Sequence, residues 1–207
     1  MILGTRNFEQ EYNGTFVKMD DALKMIDYFV ENTGGQGIID SAFNYTGSKA
    51  VLGEWIKKNP GANIKIQTKI WEDCDYINFL EDVDLDKCYS VLVRENNEAT
   101  IFYAREKKEK NQVEKYGMSI YYPHELRSDI NIIQIPCTPI FFDYIPTMAL
   151  YAQVQIRSYY NLYLKSFDYY TEADKKKFSA VSKMKNVDFV IGCDDINQLR
   201  VNMEIFK

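Results

Sequence analysis

At 207 residues, 46% of them hydrophobic and 27% charged, the chain has the length and balance of one globular domain with a substantial buried core. A formal net charge of -5 excludes nucleic acid or an anionic membrane surface as the main partner, since binding phosphate backbones takes a basic face. One histidine, and four cysteines (Cys74, Cys88, Cys137, Cys193) with no Cys-x-x-Cys pair, exclude the usual zinc constellations and fit a reducing, cytoplasmic setting.

No signal peptide is expected from the opening residues, and no apolar run reaches the roughly 20 residues that span a bilayer. Ile2-Leu3-Gly4-Thr5 reads as a short first strand. Asp20 to Val30 follows as a helix with Leu23, Ile26 and Val30 on one stripe; Asp20 is placed to cap it and Gly34-Gly35 to stop it. Gly37 to Asp40 is a buried strand. Ser48 starts a second helix through Val51, Leu52, Trp55 and Ile56, which Asn59-Pro60-Gly61 ends. Ile64 to Lys69 alternates as a strand does, a short helix covers Tyr76 to Leu80, and Tyr89 to Arg94 is strand four.

Helical residues from about Glu98 lead to a strand at Tyr116 to Tyr121, and Pro123 to Leu126 is a helical turn with proline first. Strand six spans Ile130 to Pro136, a helix is expected at Tyr144 to Tyr151, and strand seven is Val154 to Ser158. A helix from Thr171 to Met184, strand eight at Asp188 to Gly192 and a helix beginning at Asp194 or Asp195 complete the chain. The lysine runs at 107–110 and 175–177 are mixed with acids and read as solvated helix faces. Eight strands, each followed by a helix or helical turn, fit one α/β domain over residues 1–207. It would be a closed (β/α)8 TIM barrel, compact, with helices and loops shortened after strands three, four and five. An open α/β sheet is the alternative, although no Gly-x-Gly-x-x-Gly turn follows any strand.

Barrels of this kind carry function at the C-terminal strand ends. Those ends supply Asp40, with Tyr45 in the loop after it, then Lys69, Arg94, Ser119, Gln134, Arg157-Ser158 and Gly192. Asp40 and Lys69 end neighbouring strands, so their side chains can meet across the mouth. An ammonium near a phenol favours the phenolate and eases its donation and return of a proton. An Asp, Tyr and Lys set therefore suits reversible proton transfer at a carbonyl or alcohol oxygen.

In these residues the sequence resembles the aldo-keto reductases. Asp40-Ser41-Ala42-Phe43-Asn44-Tyr45-Thr46-Gly47-Ser48-Lys49-Ala50-Val51-Leu52-Gly53 follows the family's D-T-A-x-x-Y-G-x-S-E-x-x-L-G pattern. Leu3-Gly4-Thr5, Thr68-Lys69, Gly117-Met118-Ser119, Ile133-Gln134, and Ile191-Gly192 with Gln198-Leu199 and Asn202 match further family segments in order along the chain. The resemblance implies Tyr45 as general acid, tuned by Lys69 and Asp40, and a nicotinamide cofactor, NADP or NAD. Ser119 and Gln134 would bind its carboxamide, Gln198 and Asn202 would lie near its adenine, and Arg157, Ser158 and the helix start at Asp194 would face its phosphates. Thr5 would also lie on the cofactor side.

The family histidine at the end of strand four is replaced by Arg94 or, with a slip of one residue, by Glu95. Arginine can polarise an oxygen but does not share protons. Lys49 and Thr46 stand where the family has glutamate and glycine, and His124 reads as a surface residue. Two functions follow. One is an oxidoreductase acting on a small-molecule carbonyl, a sugar or sugar nucleotide by the resemblance of short family members. The other is a catalytically impaired barrel that keeps the cleft for nucleotide binding or regulation.

Overall fold

The protein is described by a computed structural model over residues 1–94, 96–158 and 171–205, with the side chains of Ser158 and Ile205 outside that description. Eight strands form a closed barrel in sequence order: β1 (Ile2–Gly4), β2 (Ile38–Asp40), β3 (Lys65–Ile70), β4 (Cys88–Val93), β5 (Val113–Ser119), β6 (Ile132–Pro136), β7 (Gln153–Ser158) and β8 (Val187–Gly192). All pairs are parallel, and β1 closes on β8 with Leu3 opposite Ile191 and Gly4 opposite Gly192. Closure rules out the open sheet.

The helices α1 (Met19–Thr33), α2 (Thr46–Lys58), α3 (Cys74–Val83) and α4 (Glu98–Glu109) follow β1 to β4. After β5 comes a single 3-10 turn (Pro123–Glu125), and after β6 two one-turn helices, α5 (Pro139–Phe142) and α6 (Ile145–Met148). Helices α7 (Glu172–Val181) and α8 (Ile196–Ile205) finish the ring. The trimming thus differs from the expected pattern. It falls after β5 and β6, while α4 keeps 12 residues. The helix expected at Tyr144 to Tyr151 is shortened to the single turn α6, with Pro146 in its opening positions, and another single turn, α5, opens on Pro139 before it.

Two helix starts also differ. Asp20 lies in the first turn of α1 and does not cap it; the Met19 amide donates instead to Glu9 Oε1 from the β1–α1 loop. Asp20 and Asp21 still complement the helix dipole there. Ser48 lies inside α2, buried, with its hydroxyl 2.5 Å from Thr5 Oγ1 and 2.8 Å from Ser41 Oγ.

Alternation along the strands sorts side chains to the two barrel faces. Leu3, Ile39, Ile66, Ile70, Val91, Met118, Ile133, Val154 and Ile191 join the main core under the helices. Inside the barrel, Ile2, Ile38 and Val190 form a small apolar plug. Beside and above it the filling is polar: Gln67, Ser90, Ser119, Gln134 and Gln155 are all fully buried. A barrel interior is more often packed with branched apolar residues, so this layer calls for its own account.

Candidate functional site at the C-terminal mouth of the barrel

Asp40 ends β2 and Lys69 stands on β3 above it; both are buried, and the Lys69 ammonium donates to Asp40 Oδ2 and, at 3.3 Å, to the Ser41 carbonyl. The other carboxylate oxygen, Oδ1, accepts from Gln67 Nε2 at 2.6 Å and Gln134 Nε2 at 3.1 Å. Behind these, Gln67 and Gln155 exchange amide hydrogen bonds at 2.9 Å in both directions, and Ser90 donates to Gln67 Oε1 at 2.9 Å. On the other side, Arg94 Nη1 donates to Ser119 Oγ at 2.9 Å and Ser119 to Gln134 Oε1 at 3.2 Å. Lys69, Gln67 and Gln134 thus all donate to Asp40. A carboxylate only accepts hydrogen bonds, so this donor set matches it and holds it in one rotamer.

Burial lowers the Lys69 pKa from its ordinary value; the Asp40 carboxylate opposes the shift, and the guanidiniums of Arg157 and Arg94 add to it. The pair is thus a buried ion pair with two further cations near its lysine.

The loop to Tyr45 is built on the same frame. Past the end of β2, Ser41 N donates to Gln67 O at 2.9 Å and Phe43 N to Lys69 O at 3.0 Å, so the loop tracks β3. Tyr45 then sits at the start of α2, half-buried, with its ring centroid 5.7 Å from the Lys69 ammonium and 5.4 Å from the Arg6 guanidinium. Arg6, one residue beyond Thr5, stacks on the Tyr12 ring at 3.8 Å. Gly47 lets the two loops touch: a Cβ there would stand 2.4 Å from the carbonyl oxygens of Phe8 and Glu9.

A cleft opens at this point, lined on one side by Arg6, Tyr12, Asp40, Tyr45 and Lys69 and on the other by Arg157, Gly192, Asp194 and Gln198. The expected catalytic Asp40, Tyr45 and Lys69 therefore meet in one place. Arg94 does not line this cleft; it stacks over Tyr121 at 4.1 Å and reaches the site through Ser119. Glu95, the other residue at the histidine position, lies outside the described residues.

The expected cofactor residues divide into two groups. Arg157 and Gln198 line the cleft, as does Thr5, whose hydroxyl is turned to Ser48 and the Asp40 carbonyl at 3.0 Å. Ser119 and Gln134 are tied into the interior network, and Asn202 is buried with its amide on Cys193 Sγ at 3.4 Å. The backbone of Ser158 ends β7, but its side chain is not among those described. The paired strand ends Gly4 and Gly192 also line the cleft and carry no side chains. The start of α8 is closed by the chain's own groups: Asn197 N and Gln198 N donate to Asp195 Oδ1 at 2.7 and 2.9 Å, and Asp194 N to Gln198 Oε1 at 3.0 Å. Arg157, which lines that side of the cleft, is buried, donates from Nη2 to the Ile120 carbonyl at 2.8 Å and stacks over Tyr121 at 4.8 Å.

Gln67, Ser90, Gln155, Arg6 and Tyr12 were not marked as site residues by the sequence. Period two would have marked Gln67 and Gln155, which stand two residues before Lys69 and Arg157 on the same strand face.

Residues 1–122 match the sequence model of the aldo/keto reductase family, more than half of the chain. Among solved structures, a Pseudomonas aeruginosa protein described as an aldo-keto reductase superposes with a TM-score of 0.75 at 17% identity, covering 99% of this chain and 88% of that one. An aldo-keto reductase from Klebsiella pneumoniae in complex with NADPH gives a TM-score of 0.74 at 13% identity, covering 99% of this chain and 84% of that one. The holo form of one from Bacillus halodurans gives 0.71 at 16%, covering 99% and 85%. At these identities the likeness is one of fold. No protein of curated function matches the sequence.

Proposed function

The chain belongs to the aldo/keto reductase family, and from that premise we propose that it moves a hydride between NADP(H), or NAD(H), and the carbonyl carbon of a small molecule, with Tyr45 as general acid. The observation that carries this reading is the convergence of Asp40, Lys69 and Tyr45 on one cleft, with Lys69, Gln67 and Gln134 all donating to Asp40.

A bound nicotinamide supplies the hydride. Arg157 would hold its phosphates, the glycine floor at Gly4 and Gly192 would admit its ring, and Gln198 would line its far end. As the carbonyl oxygen gains charge, the Tyr45 hydroxyl gives it a proton, leaving an alcohol and a phenolate. Lys69 stabilises that phenolate until a proton returns from water at the mouth. Asp40, locked by Gln67 and Gln134, keeps the Lys69 ammonium in place. A sugar or sugar nucleotide as the substrate rests on the likeness to short members of the family.

One observation favours the second reading, a barrel that binds a nucleotide without turning over substrate. Ser119 and Gln134 spend their hydrogen bonds inside the barrel, and Arg94 stands where the family has histidine. Titration with NADPH and with NADH, followed by tryptophan fluorescence, tests both, since Trp71 lies just beyond Lys69. The oxidoreductase reading expects saturable quenching by at least one of them and turnover with a carbonyl panel. Quenching without turnover supports the second reading, and no quenching by either nucleotide refutes both. Gln134→Ala should weaken binding if that amide exchanges its interior partners for the carboxamide.

A further inference from the structure

Arg6 has a role that the hydride-transfer chemistry leaves over. It lines the cleft, half-buried, beside the Tyr45 ring. Among the described residues it makes no ion pair and no hydrogen bond; its contacts are the faces of Tyr12 at 3.8 Å and Tyr45 at 5.4 Å. Stacking holds a guanidinium by its flat face and leaves its N–H donors at the edges, oriented for a bidentate oxyanion. On this side Lys69 is already paired with Asp40, and on the opposite wall Asp194 accepts a hydrogen bond from Asn7 Nδ2 at 3.2 Å. Arg6 is therefore a pre-oriented cation, two rings deep, within one small substrate's length of the group that protonates the carbonyl.

We propose that Arg6 is a specificity-determining residue which selects carbonyl substrates bearing an oxyanion, a carboxylate or a phosphate, a few bonds from the reacting carbon. This rests on the oxidoreductase reading of the same site. The cleft wall opposite, at Arg157, is left for the cofactor, so the two anionic groups would be held on opposite sides of Tyr45 and Lys69. A neutral carbonyl would leave the Arg6 donors to water.

Matched substrate pairs test it: succinic semialdehyde against butyraldehyde for carboxylate, and glyceraldehyde 3-phosphate against glyceraldehyde for phosphate. The full chain should favour the anionic member of at least one pair by about tenfold to a hundredfold in kcat/KM, the range of a charge-assisted hydrogen bond. The pair that shows it identifies the oxyanion. Arg6→Met, which keeps length and packing against Tyr12, should bring the ratio to about one, and Arg6→Lys should restore part of it. A ratio near one in the unaltered protein, or one that survives Arg6→Met, overturns the proposal while leaving the oxidoreductase reading intact. So does an Arg6→Met protein that loses dinucleotide affinity but keeps the ratio. If no aldehyde is turned over, calorimetry with succinate and glycerol 3-phosphate still decides: binding of one, lost in Arg6→Met, supports the anion site, and no binding of either refutes it.

Discussion

Replacing Gln67 with methionine removes the centre of the interior network without emptying the barrel. The side chain is fully buried and makes four hydrogen bonds: to Asp40 at 2.6 Å, to and from Gln155 at 2.9 Å each way, and from Ser90 at 2.9 Å. Asp40 keeps Gln134 and Lys69, so the carboxylate is weakened but not stranded. Gln155 Nε2 and the Ser90 hydroxyl lose the acceptor given above, and a buried donor left unmatched costs about 1–3 kcal/mol. The two together, with the shortfall at Asp40, come to about 3–5 kcal/mol. Much of that is the cost of stranded partners, so a second change should recover some of it. Gln155→Leu alone takes one partner from each end of the Gln67 amide, which keeps Asp40 and Ser90, and the double variant leaves neither amide to lose a partner. Its loss should therefore be smaller than the sum of the single losses by about 1–2 kcal/mol. Urea unfolding of the four proteins measures the cycle. A Gln67→Met cost below about 1 kcal/mol, or losses that simply add, would refute the network as described.

Two further predictions rest on other contacts. Gly47→Ala forces a Cβ against the carbonyl oxygens of Phe8 and Glu9 at 2.4 Å, and backbone cannot swing aside as a side chain does. We expect a loss of about 1–3 kcal/mol, read as a Tm drop of roughly 3–10 °C, together with reduced turnover because the Arg6 and Tyr45 loops part. An unchanged Tm would contradict this contact. Burial depresses the Lys69 pKa below its usual 10.5. Between the lowered folded value and 10.5 the unfolded chain binds more protons, so stability rises with pH across that window. The unfolding free energy of Lys69→Met should lack that rise, and the difference between the two proteins across pH 7.5–10 isolates it from other groups. Parallel pH profiles would show that Lys69 is not depressed.

The barrel was legible in the sequence because each strand–helix repeat has its own period and its own stop. Ile64 to Lys69 alternates and Val91 to Val93 is a short continuous apolar run, whereas Leu23, Ile26 and Val30 step by helical turns. The placement of Asp40, Tyr45 and Lys69 followed from strand ends alone. Capping was less legible, because the group that caps α1 comes from Glu9, ten residues away along a loop, and not from the adjacent Asp20. The trimming after β6 was hidden because Ile145, Met148 and Ala149 are spaced to read as part of one helix from Tyr144 to Tyr151, while the helix stops at Met148. The polar interior was missed for a different reason. Gln67 and Gln155 share the period-two face of Lys69 and Arg157, but a glutamine below a strand end reads as solvent-facing unless that period is followed down into the barrel. Arg6 gave no signal at all. Its meaning depends on Tyr12 and Tyr45, which the fold brings to it from two loops.

The central claim is that Tyr45 moves the proton in a hydride transfer at this cleft. The direct measurement is steady-state oxidation of NADPH, and of NADH, with the aldehydes named above, by the full chain and by Tyr45→Phe. The account predicts measurable turnover by the unaltered chain and a loss of about 10²–10⁴-fold in kcat for Tyr45→Phe, the usual contribution of a positioned acid, with nucleotide binding retained. Turnover that survives Tyr45→Phe would remove the phenol from its role and contradict the account.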